Sequence, residues 1–149
     1  MRTIFGPPVI DVARSAYYRP ELMQRNYYLL QQEVLRGSSE WTVAERELFA
    51  TYVSIKNKCD FCIAAHSGFA SADKTSQWVE TALKEEQYDE LDPKLGAMLK
   101  FLEKLTQQPW NMAPEDVKIL REQGLNDAAI EDAVMVCVVF SIGNRLADS

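Results

Sequence analysis

Apolar side chains in this chain recur at spacings of three and four, not two, so helices are predicted throughout and no stretch shows the alternation of a strand. From Pro20 to about Arg36, a broad apolar stripe of Leu22, Tyr27, Leu29, Leu30, Val34 and Leu35 predicts a helix that Pro20 opens and Gly37 stops. Thr42-Val43-Ala44-Glu45 spells a capping box, and Val43, Leu48, Tyr52 and Ile55 run along one side of the helix it opens. Asn57 and Lys58 interrupt the pattern before a helix predicted from Cys59 to about Ala70. Asp73 is placed to cap a helix over roughly 74–86, with Trp78, Val79 and Leu83 facing inward. Asp92-Pro93 begins another, in which Leu95, Met98, Leu99, Leu102 and Leu105 keep helical spacing until Pro109 ends it. Pro114 and Gly124 bracket a short helix, and Asn126 caps a last one over about 127–148. At the start, Pro7 and Pro8 favour an extended arm over residues 1–10, ahead of a short helix that Asp11 caps and that runs through Tyr18.

These elements predict an all-α bundle of six to eight helices in a single domain over residues 1–149, with no repeat and no linker long enough to divide it. The last helix carries a second expectation. Ala128, Ala129, Ala133, Val134, Val136, Cys137, Val138, Val139, Phe140 and Ile142 leave it little polar face, which places it at the centre of the bundle or in a subunit interface.

Composition narrows the partners. A formal charge of −6 disfavours nucleic acid, which requires a basic surface. The most apolar run, 133–142, is about half the length needed to span a bilayer, and the first residues show no apolar signal core. Three cysteines are an odd count, two of them too close together for a secreted disulfide framework, so a cytoplasmic, reducing compartment is expected.

The chemistry concentrates in ELFATYVSIKNKCDFCIAAH, residues 47–66, which holds the only histidine and a Cys-x-x-Cys pair. On a helix, Cys59, Cys62 and His66 fall one turn apart on a shared face, a row of two thiols and a titratable base suited to thiol redox chemistry. Glu47, twelve residues before Cys59, is a candidate to orient the imidazole, although beside Glu45 and Arg46 it reads equally well as a solvated carboxylate. One Cys-x-x-Cys and one histidine fall short of the four ligands of structural zinc, so neither metal nor cofactor is called for. Cys137, in an apolar helix, reads as an inert small hydrophobe. Tyr52, Phe61, Phe69 and Trp78 lie near enough in sequence to line an apolar mouth, though aromatics at helical spacing more often pack as core.

Glu47, Cys59, Cys62 and His66, spaced as E-x11-C-x2-C-x3-H, resemble the signature of the AhpD-like alkylhydroperoxidase branch of the carboxymuconolactone decarboxylase superfamily. Arg46-Glu47 ahead of an apolar helix, Asn57 before the first cysteine and Asn144-Arg145-Leu146-Ala147-Asp148 closing the last helix agree with the peroxidase-related members. The chain departs from the best-studied members at Phe61, where they carry an additional histidine, so their proton relay need not transfer. The resemblance implies an AhpD-like bundle acting as a homo-oligomer, with Glu47, Cys59, Cys62 and His66 as catalytic residues. Cys62, nearer to His66, would attack a small hydroperoxide, and Cys59 would close the disulfide. A dithiol, in the resembled enzymes a lipoyl group on a partner protein, would reduce it. Two other functions fit the same row of residues: a thiol–disulfide oxidoreductase or electron relay, and a non-catalytic redox sensor. Decarboxylation is disfavoured, because the lactone-decarboxylating members do not rely on this pair.

Overall fold

The computed structural model describes residues 19–21, 25–70, 88 and 91–148. Among them the chain forms six α-helices and no strand: α1 (Asn26–Arg36), α2 (Val43–Lys56), α3 (Asp60–Ala70), α4 (Pro93–Gln107), α5 (Pro114–Glu122) and α6 (Asp127–Ala147). A 3-10 turn, Pro109–Asn111, follows α4. This is the expected all-α bundle. The N-terminal arm, the helix expected from Asp11, Leu22 and the helix expected over 74–86 with Trp78 lie outside the described residues.

Most of the punctuation read from the sequence is that of the fold, but Pro20 lies in a turn and does not open α1, which starts only at Asn26. Thr42 caps α2 by accepting from the Glu45 N–H while Glu45 takes the Thr42 N–H at 2.7 Å, closing the capping box. Asp92 accepts from the N–H groups of Lys94 and Leu95 at the start of α4, and Asn126 from Ala129 at the start of α6. Gly37 does end α1, but in an extended conformation (φ −65°) instead of the left-handed one that makes glycine the usual stop. Gly124 does adopt a positive φ of 81°, and the N–H groups of Gly124 and Leu125 return to the carbonyls of Arg121 and Leu120 as α5 ends.

Burial differs from expectation in one informative way. The helix surrounded on nearly all sides is α2, where Ala44 and every residue from Arg46 to Ser54 are buried. It packs on α3, α6, α4 and α1. The stripe expected there is therefore only part of the buried surface, and Val43, at its exposed first turn, contributes least. The last helix is central on one side, through Ala133, Val136, Val139 and Phe140, but Met135, Val138 and Ile142 remain exposed on the other. In α1 the stripe narrows to Tyr27 and Leu35 with Val34 beside them, and Leu29 and Leu30 are exposed.

Burying α2 brings polar side chains inside, and each finds a partner for part of its hydrogen-bonding capacity, the buried Arg46 Nε being left without one. The Arg46 guanidinium donates from Nη1 to the carbonyls of Val34 (3.0 Å) and Gly37 (2.9 Å), a cation set on the carbonyl end of α1. Arg46 is thus a buried clamp and not the surface charge its neighbours suggest. Thr51 and Ser54 donate to the carbonyls one turn back in their own helix. Tyr52 is core, with its hydroxyl donating to Glu103 at 2.9 Å, and so lines no mouth.

Candidate active site

The site is built on the corner between α2 and α3. Lys58 adopts a left-handed conformation (φ 61°), and the N–H groups of Lys58 and Cys59 fold back to the carbonyls of Ile55 and Ser54, both at 3.0 Å. This is the reciprocal pattern that closes a helix with a left-handed residue, here without the customary glycine. The same sharp turn makes Cys59 the residue ahead of α3, one position outside the helix expected to contain it. Cys59 therefore precedes the helix, and Cys62 sits in its first turn, next to backbone N–H groups that have no carbonyl partner within the helix. The two thiols are side by side and both are free. Burial, reinforced by its contact with Cys62, pushes the Cys59 thiol up to about 12, so it stays protonated at neutral pH.

His66 lies one turn beyond Cys62 on α3. Its Nδ1 is 2.6 Å from Glu47 Oε2, across the α2–α3 contact, and its ring stands edge-on to Phe140 of α6 at 4.6 Å. Glu47 has no exposed surface, which excludes the solvated alternative. Burial would raise its carboxyl, but hydrogen bonds from His66 and Arg36 outweigh that and hold it below the ordinary value. With the carboxylate on Nδ1, the neutral ring carries its proton there and leaves Nε2 as the acceptor. Glu47 on α2 and His66 on α3 therefore form a base with a fixed tautomer, one helical turn from Cys62.

Three further side chains complete the surroundings, and none was singled out from the sequence. Arg36, at the end of α1, donates to Glu47 Oε1 and lies 5.8 Å over the ring of Phe69. A basic residue in a last turn is so common that nothing in the sequence marks this one. Tyr27 donates to the carbonyl of Val139 at 3.0 Å, and burial, with Cys62 nearby, pushes its hydroxyl pKa upward. Ser54 anchors the corner through its hydrogen bond from Asn144 (2.9 Å), while Asn144 accepts from Asn57 at 2.8 Å. Asn57 and Asn144 were noted in the sequence as flanking matches, without a role. Here they join the end of α6 to the turn that carries Cys59.

Access is narrow. Cys59 has no exposed surface and Cys62 only 6%. Phe61 and Phe69, by contrast, are exposed, and Phe69 lies against His66. Cys137 is buried far along α6 with Thr106 Oγ1 at 3.4 Å, and burial raises its thiol pKa as well.

Residues 20–104 match the sequence profile of the carboxymuconolactone decarboxylase family. The chain belongs to that family. Among solved structures, a peroxidase-related protein from Silicibacter sp. TM1040 superposes with a TM-score of 0.74 at 25% identity, over 96% of this chain and 84% of that one. A second, described as an alkylhydroperoxidase AhpD core and a peroxidase-related protein, from Ralstonia eutropha JMP134, superposes with a TM-score of 0.78 at 23% identity, over 94% of this chain and 74% of that one. No curated protein sequence matches the chain significantly. The family match and the superpositions together make the helical bundle an AhpD-like fold. Among the described residues no helix is long and apolar enough to cross a membrane.

Proposed function

We propose that this chain is a cysteine-pair peroxidase that reduces small hydroperoxides through a dithiol–disulfide cycle. The observation that carries this is a pair of neighbouring free thiols, one of them a helical turn before an imidazole whose Nδ1 is held by a buried carboxylate. Cys62, in the first turn of α3 and one turn from His66, is the nucleophile. His66 Nε2 takes its proton, directly or through one water, and Glu47 stabilises the imidazolium that results. The thiolate attacks the terminal oxygen of the hydroperoxide, the O–O bond breaks, and the departing alkoxide takes the imidazolium proton and leaves as alcohol. Cys62 is left as sulfenic acid.

Cys59, held as a neutral thiol beside it, then forms the disulfide and releases water. A dithiol restores the pair by exchange, and a thin flexible lipoyl arm suits so narrow an approach. The near-complete burial of both sulfurs favours a small oxidant over a protein disulfide as the group that meets Cys62.

The test is turnover of cumene hydroperoxide and hydrogen peroxide with dihydrolipoamide as reductant, for the wild type and the Cys59→Ser and Cys62→Ser variants. Peroxide turnover that requires both cysteines supports the proposal. Turnover of disulfide substrates alone would replace it with a thiol–disulfide oxidoreductase, and a single stoichiometric oxidation with a change in assembly would replace it with a redox sensor.

A further inference from the structure

The buried Glu47 carboxylate is shared between side chains of α1 and α3. Arg36, the last residue of α1, donates to its Oε1, while His66 Nδ1 on α3 lies 2.6 Å from its Oε2. The guanidinium is itself held in place. It donates to the Leu35 carbonyl at 3.1 Å, bonds the carboxylate inward, and lies 5.8 Å over the ring of Phe69, which also leans on His66. Phe69 comes almost two full turns after Cys62, on the face of α3 that carries the imidazole. Arg36 and the exposed Phe69 thus stand on the outer side of the Glu47–His66 pair.

Charge decides what this sharing does. A wholly buried carboxylate has lost its hydration and depends on its partners for compensation. The charges of Arg36, Glu47 and a neutral His66 cancel. Without Arg36, the same carboxylate and ring would bury a net negative charge, and the pair would keep one further proton up to higher pH. A ring that keeps that proton has no open Nε2 to offer the thiol. The neighbouring charges are engaged elsewhere. Arg46, also on α2, turns to the carbonyls of α1 and has Asp132 of α6 and Glu33 of α1 around it. From α6 the ring meets Phe140, and α4 brings Glu103, which bonds Tyr52 and Lys56 towards the other end of α2. The titratable neighbours on α1 and α3 are Tyr27, which donates to the Val139 carbonyl, and Cys62 itself.

We propose that Arg36 is a positioning residue for the reaction: by sharing the Glu47 carboxylate with His66, it keeps the imidazole neutral at rest, with Nε2 open to the Cys62 proton. Its place in the reaction rests on the peroxidase assignment above, whereas its hold on the imidazole does not. Arg36 acts through Glu47. It fixes which carboxylate oxygen faces Nδ1 and cancels a charge that a proton on the ring would otherwise balance.

His66 is the only histidine of the chain, so proton NMR of the reduced protein follows its titration free of other imidazoles. Wild type, Arg36→Gln and Arg36→Lys are compared, each also in a Glu47→Gln background, with circular dichroism as the check on folding. The end of α1 stays tied down in these variants, because Arg46 still bonds the carbonyls of Val34 and Gly37. If Arg36→Gln does not fold, Arg36→Met, which keeps the stem packed on Phe69, takes its place. The His66 midpoint should rise by at least about one pH unit in Arg36→Gln, and by less in Arg36→Lys, which keeps the charge. In Glu47→Gln protein the same Arg36→Gln change should move the midpoint by well under half as much. An unchanged midpoint in Arg36→Gln would overturn the proposal. So would an equal rise with and without Glu47, because Arg36 would then act on the ring by direct repulsion alone.

Single-turnover oxidation by cumene hydroperoxide, quenched and read as loss of free thiol, tests the consequence for the reaction. The thiol–imidazole pair must shed one proton before it reacts, so the acid limb of rate against pH should move to higher pH in Arg36→Gln and part of the way back in Arg36→Lys. An acid limb that stays in place while the NMR midpoint moves would overturn the role in the reaction. Failure of the peroxidase assignment would look different: wild-type thiols would stay reduced in peroxide at every pH, and the NMR titration would still decide what Arg36 does to the ring.

Discussion

Glu47→Gln is the substitution that most directly probes the site, because it keeps the shape of the side chain and removes only its charge and its two-acceptor character. In the folded protein one carboxylate oxygen faces Arg36 and the other His66 Nδ1, and the group is wholly buried. Hydrogen bonds to charged groups contribute about 1.5–3 kcal/mol each, and breaking a buried pair by removing one partner costs about 3–5 kcal/mol. The Arg36 side chain is 32% exposed and can rehydrate, so the loss should fall below the simple sum, at about 2–4 kcal/mol near neutral pH.

The sign of the pH dependence is fixed by the direction of the Glu47 shift. A carboxyl held below its ordinary 4.5 contributes stability that is fully present above 4.5 and is lost as pH falls through the folded value. Glutamine does not titrate, so the gap between wild type and variant should be constant above pH 4.5 and narrow below it. Urea unfolding followed by circular dichroism across that range measures the gap. An equal stability at neutral pH, or a gap that persists at acid pH, would refute the ion-pair account. The amide can also donate to Nδ1, which would move the imidazole proton to Nε2 and block the uptake of the thiol proton. Peroxide turnover should therefore drop by about 10²-fold or more, a change that loss of stability alone would not produce in protein still folded under assay conditions.

Two further outcomes follow from the packing and the thiols. A Cβ at Gly143 would overlap the Tyr27 hydroxyl, so Gly143→Ala should cost about 1–3 kcal/mol in urea unfolding. Tyr27→Phe alone loses the hydrogen bond to Val139, about 1 kcal/mol, but should relieve Gly143→Ala, and strictly additive losses in the double variant would refute the overlap. Because burial and Cys62 raise Cys59 from 9.0 to about 12, its contribution to stability is complete below pH 9.0 and is lost as pH rises towards 12. Under reducing conditions Cys59→Ser should lose less stability than wild type between those limits. Tyr27, Tyr88 and Cys137, also raised, remain in both proteins, so parallel alkaline curves would refute the shift at Cys59.

Local signals in this chain are dependable where the physics is local. The Thr42 capping box, the Asp92 and Asn126 caps, and Pro93 and Pro114 at helix starts act within a few residues, and a cap satisfies backbone groups whatever the helix packs against. The one-turn spacing of Cys62 and His66 is likewise set by helical rise and twist alone. Which helix is central could not be read in this way. The apolar pattern pointed to the last helix, as the centre of the bundle or as a subunit interface; within the chain α2 is the enclosed one and carries Arg46, Glu47, Thr51 and Ser54 inside it. Polar side chains can be buried once partners from other segments satisfy them, and those partners have no fixed sequence offset.

The sequence by itself thus determined the described helices, most of their ends and the order of the two thiols and the base along the chain. Tertiary structure alone decided that Glu47 is buried and not solvated and that Arg36 holds it from another helix. Each of these depends on helices meeting through space, and chain distance carries no information about that meeting until the bundle has closed.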